Sequence, residues 1–172
     1  IIATIYLGTK LDIKMIAVAM IIGSIIGAFF AIKVEMTQMP QLVAIFNGFG
    51  GSASALVASS EFLKAFKNDA LTDFGFLGIS ITLSVLVGTL TFTGSFIAFG
   101  KLQGFISSKP ITFPGQQIFN ALLAILMLSA VYLIPIYGMT SLFVIVALSA
   151  LLGILLVIPI GGADMPVVIS LL

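Results

Sequence analysis

Cysteine and histidine are both absent from this 172-residue chain. Without cysteine there is no thiolate nucleophile, no disulfide and no sulfur ligand. Without histidine, the commonest nitrogen ligand and the one side chain that titrates near neutrality unperturbed are also missing. Metal-centred and thiol-redox functions are therefore not expected. Arginine is missing too, and charged residues make up 8% of the chain, against roughly a quarter in a soluble domain. Seven lysines and six acids leave a net charge of +1. That balance builds no basic patch to neutralise phosphates, so nucleic acid is not an expected partner.

What fills the sequence is apolar: 60% of residues are hydrophobic and the mean hydropathy is +1.32. Five runs meet or approach the ~20 residues that cross a bilayer. They are Met15–Ile32, Gln41–Ser59, Phe76–Phe99, Gln117–Pro135 and Met139–Ile160. Continuous apolarity predicts helices, because lipid-facing barrel strands would alternate with polar residues. The expected fold is all-α: a polytopic transmembrane helix bundle over residues 1–172, in contact with the lipid bilayer, with five complete spans and a partial span at each end. The opening residues carry no initiator methionine and no charged stretch ahead of a cleavable apolar one, so no signal peptide is expected.

Nearly all charges fall between the runs: Lys10, Asp12 and Lys14; Lys33 and Glu35; Glu61 to Asp73; Lys101 and Lys109; and Asp164. Lysine is shared almost evenly between alternate connections. Orientation then rests on the loop Gly100–Gln116, which holds two lysines and no acid and is expected on the cytoplasmic side.

One repeat is visible. Met39–Phe46 recurs as Met165–Leu172, 126 residues on, and the same offset superposes Gly27 on Gly153. Each Met-Pro stands just inside a helix start, where proline loses no intrahelical bond. Thr37 and Asp164 precede them as expected N-caps. Two similar helix starts and an internal duplication both account for the pattern.

Within the Phe76–Phe99 run, Ser80, Ser84, Gly88, Thr91 and Ser95 are spaced to share one helix face. Such a face avoids lipid. It fits close helix packing with hydroxyls bonded across, a hydrated path, or both. The Gln41–Ser59 run has a similar face of Asn47, Gly51, Ser54 and Ala58, with Gly48 and Gly50 alongside. A carboxamide at the depth of Asn47 is costly unless bonded. Interhelical glue and the lining of a proton or ion route explain it equally. Ala19, Gly23 and Gly27 form a small-residue series that reads as packing. Asn120 and Tyr132, near span ends, read as interface anchors. No Asp, Glu or Lys sits in the middle of a complete span. A proton route here must use Asn, Ser, Thr and water, with a titrating group supplied by another helix.

Longer motifs carry the reading further. Lys33-Val34-Glu35-Met36-Thr37-Gln38-Met39-Pro40-Gln41-Leu42-Val43-Ala44 resembles the KVEMTxMPxLVA segment of proton-translocating nicotinamide nucleotide transhydrogenases. Gly161–Val168 resembles their GGADMPVV. In between, Thr91–Ser95, Ala98–Gly104 and Ile106–Pro110 are similar to TFTGS, AFGKLxG and ISSKP. The resemblance implies the membrane domain of a beta subunit. It further implies a soluble NADP(H)-binding domain outside this chain, and an alpha subunit that brings the NAD(H)-binding domain and further membrane helices. The implied assembly is a homodimer of the complex in the cell (inner) membrane, where hydride transfer between NAD(H) and NADP(H) is coupled to proton translocation. No cofactor is then held by this fragment, and no G-x-G-x-x-G follows a predicted strand.

The resemblance places Asn47 where the family carries a proton-path histidine, Ser95 at a hydroxyl of that path, and Asp164 at the acid of the cytoplasmic mouth. Thr91 and Ser84 join the candidate path through the stripe they share with Ser95. The loops with Glu35, Lys101–Lys109 and Asp164 are expected on the cytoplasmic face. Asparagine cannot take up a proton near neutral pH, so the histidine's role fails at position 47. Two competing readings stand beside this one. The repeated Met-Pro starts suggest a secondary transporter. The lack of mid-membrane ionisable groups suggests a non-conducting scaffold for partner helices.

Overall fold

The computed structural model describes residues 13–67 and 76–172. The expected partial span at the N-terminus, and the part of the third connection from Asn68 to Asp73, lie outside the described residues. The elements are α1 (Ile13–Lys33), α2 (Met39–Lys67), α3 (Phe76–Leu102), α4 (Gln116–Tyr132), α5 (Ile134–Tyr137), α6 (Met139–Val157) and α7 (Met165–Leu171). Short 3-10 turns at Met36–Gln38 and Gly162–Asp164 lead into α2 and α7. The described chain is all-α.

Among the described residues, four helices are long and apolar enough to cross a membrane, namely α1, α2 with its preceding turn, α3 and α6. At 17 residues α4 is shorter, about 26 Å at the helical rise. It stops shortly before Pro135, which has no N–H to continue the ladder. Gly138, with φ +49, then separates α5 from α6.

The chain divides into two compact units at Met39 and Pro40. In the first, α1 is apolar on every side and has no buried residue, a surface suited to lipid or to other helices. In the second, Phe62, Val85, Ile134 and Ile145 sit fully buried at the centre of the main core. A smaller cluster joins Ala44, Ala98, Val157, Met165 and Ile169. Outside lie Leu56, Val57, Val87, Leu122, Ile125 and Phe143, all exposed. That apolar exterior is what a bilayer-facing surface requires.

The Met-Pro repeat is also a repeat of backbone. Glu35 and Gly161 share φ −70 and ψ 152, a 3-10 turn follows each, and Met39 and Met165 then turn helical at φ −55, ψ −44 and φ −57, ψ −39. Asp164 holds the expected N-cap position of α7, but neither it nor Thr37 makes the expected capping bond. Asp164 precedes α7 at φ −91, ψ −2, and its carboxylate makes no capping bond. Thr37 lies inside its turn, with its hydroxyl 3.5 Å from Glu35 Oε2. The turns themselves explain this. Gln38 N–H and Asp164 N–H reach back to the carbonyls of Glu35 and Gly161, and Met39 N–H and Met165 N–H bond Met36 and Gly162. The proline contributes as well: Pro166, the second residue of α7, has no N–H for the Asp164 carboxylate to accept.

Candidate functional site

The crossing of α2 and α3 is built on glycine. A Cβ placed on Gly51 would stand 2.8 Å from the Gly88 carbonyl oxygen and 2.9 Å from Thr91 Cβ. One on Gly88 would stand 2.6 Å from the Gly51 oxygen and 2.8 Å from Ala55 N. Only bare backbone fits, so the helices approach closely and their polar faces meet.

At that meeting Asn47 Nδ2 donates to Ser95 Oγ at 2.9 Å. Ser95 is fully buried and Asn47 half-buried. A serine hydroxyl that accepts still has its own hydrogen to pass on. Gly48 packs beside the pair against Phe96, whose ring meets Phe49 edge-on at 5.8 Å and Phe92 at 4.8 Å. One turn before Ser95, the buried Thr91 donates Oγ1 to the carbonyl of Leu172 at 2.8 Å.

Ser84 lies further along the same stripe. Its hydroxyl is held by its own helix, on Ser80 O at 2.8 Å. With Ser54, Ala58, Glu61 and Ser80 it lines an open groove of about 480 Å³ between α2 and α3. Of the four, Asn47 and Ser95 are bonded to each other, Thr91 to Leu172 one turn away, and Ser84 only within its own helix.

Asp164 is exposed and stands apart from Asn47, at the opposite end of α7 from Leu172. Through Met165 and Ile169, α7 packs among Ala44 and Ala98. These seven residues, about 10 Å of helix, link the acid to the carbonyl that Thr91 bonds.

Sequence reading missed two groups. Gln41, near the start of α2, donates Nε2 to Leu102 O at 3.2 Å, and its buried Oε1 has no partner. Lys101, read as a loop charge, is in the last turn of α3 and 1% exposed. Its ammonium donates to the carbonyl of Ile158, to that of Ile160 at 2.7 Å and to that of Lys109 at 3.4 Å. The available signal was its setting. Phe99 and Leu102 flank it in an unbroken helical run whose end attracts a cation. Around it Gly162 N–H bonds Ser108 O at 2.9 Å, Ile111 N–H bonds Ile158 O at 3.3 Å, and Ser108 Oγ bonds Lys101 O at 3.3 Å. Three motifs separated in sequence, Ala98–Gly104, Ile106–Pro110 and Gly161–Asp164, thus meet at one end of the bundle.

The family profile of the NAD(P) transhydrogenase beta subunit matches residues 1–172. The chain belongs to that family. A sequence named NAD(P) transhydrogenase subunit beta from Rhodospirillum rubrum is 45% identical over 165 residues, covering 91% of this chain and 35% of the relative. A second of the same name, from strain ATCC 11170 of that species, gives the same figures. The chain thus spans about a third of the length of these relatives. As a transhydrogenase beta chain with four apolar helices of spanning length, it is a membrane protein. Membership of this family lends no support to the transporter or the scaffold.

Proposed function

We propose that this chain is the proton-conducting membrane part of a transhydrogenase, in which hydride transfer between NAD(H) and NADP(H) is coupled to proton translocation. The observation that carries this reading is the Asn47–Ser95 hydrogen bond, 2.9 Å long and sheltered at a glycine crossing. Inside a bilayer each polar group must be bonded or wet. A carboxamide and a hydroxyl joined across two helices form one link of a hydrogen-bonded chain. Thr91 extends it by one turn, α7 runs from there towards Asp164, and Ser84 lies about two turns beyond Thr91 along α3.

Asn, Ser and Thr do not hold a proton near neutrality; they orient water and hand on hydrogen bonds. The group that exchanges protons is therefore placed on a membrane helix of the alpha subunit, packed beside Asn47. NADP(H) binds a soluble domain of the same beta subunit and NAD(H) a domain of the alpha subunit. The Lys101–Lys109 loop, Glu35 and Asp164 lie on the cytoplasmic face, where the nucleotide domains dock, and the complex is a homodimer.

The test is proton uptake driven by hydride transfer in sealed vesicles holding the assembled enzyme. Asn47→Ala and Ser95→Ala are each expected to lower it roughly tenfold or more at equal assembly. Parent-level pumping by both variants would refute the path.

A further inference from the structure

We propose that Lys101 is a positioning residue, a latch that fixes the helix start carrying Asp164 to the helix carrying Ser95. The inference rests on the path proposed above for its consequence, but its geometry stands alone. Lys101 is 1% exposed at the end of an apolar helix, and an ammonium in such a place is costly to keep unless its donors are used. It has three hydrogens and three acceptors, the carbonyls of Ile158, Ile160 and Lys109.

The position of those acceptors decides what the bonds do. Ile158 and Ile160 follow directly on α6, at the end of a helix whose dipole attracts a cation. Only residues 158–164 separate α6 from α7. Holding two carbonyls of that link sets where the Gly162–Asp164 turn lies, and so where α7 begins.

The same locus is tied from two further sides. Ser108 accepts from Gly162 N–H through its carbonyl and donates its hydroxyl to Lys101 O, which fastens the loop over the ammonium. Gln41 fastens the start of α2 to Leu102 O. Lys101 and Ser95 lie on one continuous helix, less than two turns apart. A shift of the Asp164 turn must therefore either carry the end of α3 with it or break charge-assisted bonds.

A cation that merely capped α6 would affect stability alone. A latch affects coupling as well. The discriminating experiment uses the complete enzyme in vesicles, comparing the parent with Lys101→Met, which keeps the stem and removes the ammonium. Hydrogen exchange reads the latch at the amides of Gly162 and Ile111. Both are expected to exchange roughly tenfold faster in Lys101→Met, the scale of one lost charge-assisted bond. Protons moved per hydride transferred, at equal assembly, are expected to fall about tenfold on the same scale. Lys101→Gln, with two donors, is expected to fall between the two and carries the test if Lys101→Met does not assemble.

Unchanged exchange at both amides would overturn the latch. Faster exchange with an unchanged proton-to-hydride ratio would overturn the positioning role and leave only a cap. Asn47→Ala in the same vesicles tests the path independently. If it pumps normally while Lys101→Met opens the turn, the path is at fault and the latch geometry is not.

Discussion

A carboxamide in a hydrocarbon interior persists only when something takes its hydrogens, and Ser95 does so for Asn47. Interhelical bonds of this kind in bilayers average about 0.6 kcal/mol and reach about 1.7 kcal/mol, because the unassembled helices also find partners. A double-mutant cycle with Asn47→Ala and Ser95→Ala, read by denaturant unfolding in micelles, is expected to return a coupling energy in that range. A value indistinguishable from zero would show that the pair does not form. Both members were legible in the sequence because a polar residue inside an apolar run stands out by counting. Lys101 was not. A lysine two residues after Phe99 looks like any boundary charge until the loop Ser107–Pro110 and the end of α6 close over it. Asp164 was misread in detail for a different reason. Asp164 does stand at the N-cap position, but the second residue of α7 is Pro166, which has no N–H to give it.

At the level of elements, helical spacing put Gly51 on the Asn47 face and Gly88 on the stripe opposite, but it did not separate Gly48, which packs against α3, from Gly50, which does not. Gly48, Gly50 and Gly51 are near neighbours in sequence, yet a Cβ on Gly50 meets nothing within 4 Å while one on Gly51 meets backbone. This gives a paired prediction. Gly51→Ala and Gly88→Ala should each destabilise the bundle by about 1–3 kcal/mol, the usual cost of overpacking, because a backbone carbonyl cannot rotate aside. Gly50→Ala should be neutral, or stabilising by up to about 1 kcal/mol from helix propensity. Thermal unfolding of the three variants in one detergent checks both. A loss at Gly50 matching that at Gly51 would mean that the close approach to α3 does not govern the effect, since propensity favours alanine at both positions. The repeated Met-Pro starts show how sequence identity can fix a local backbone path. Glu35 and Gly161 adopt the same dihedrals although one is acidic and the other has no side chain. The shared requirement is the extended residue ahead of the turn.

At the scale of the whole molecule, the exterior among the described residues is as apolar as the core: isoleucine, leucine and phenylalanine lie on both, while a few hydroxyls and Lys101 are buried. Composition alone made that much legible; what it left open was which ends of the helices lie together. Gln41 bonding Leu102 O sets the start of α2 against the end of α3. The end of α2, with Glu61 and Lys64, therefore lies at the opposite end of the bundle. The 29 residues of α2 extend about 43 Å against a hydrocarbon thickness of about 30 Å, so both ends clear the bilayer. Single cysteines at Gln103 and Lys64 test this, and the chain has no native cysteine to add background. Replacing Lys64 removes an exposed ion pair with Glu61 at 2.6 Å, a change of little consequence for stability. A membrane-impermeant maleimide should label Gln103→Cys and Lys64→Cys from opposite faces of sealed vesicles, with Gln103→Cys reached from the cytoplasmic face if the proposed orientation holds. Labelling of both from one face would mean that α2 does not cross, and the glycine crossing with its Asn47–Ser95 bond would then lie outside the bilayer interior.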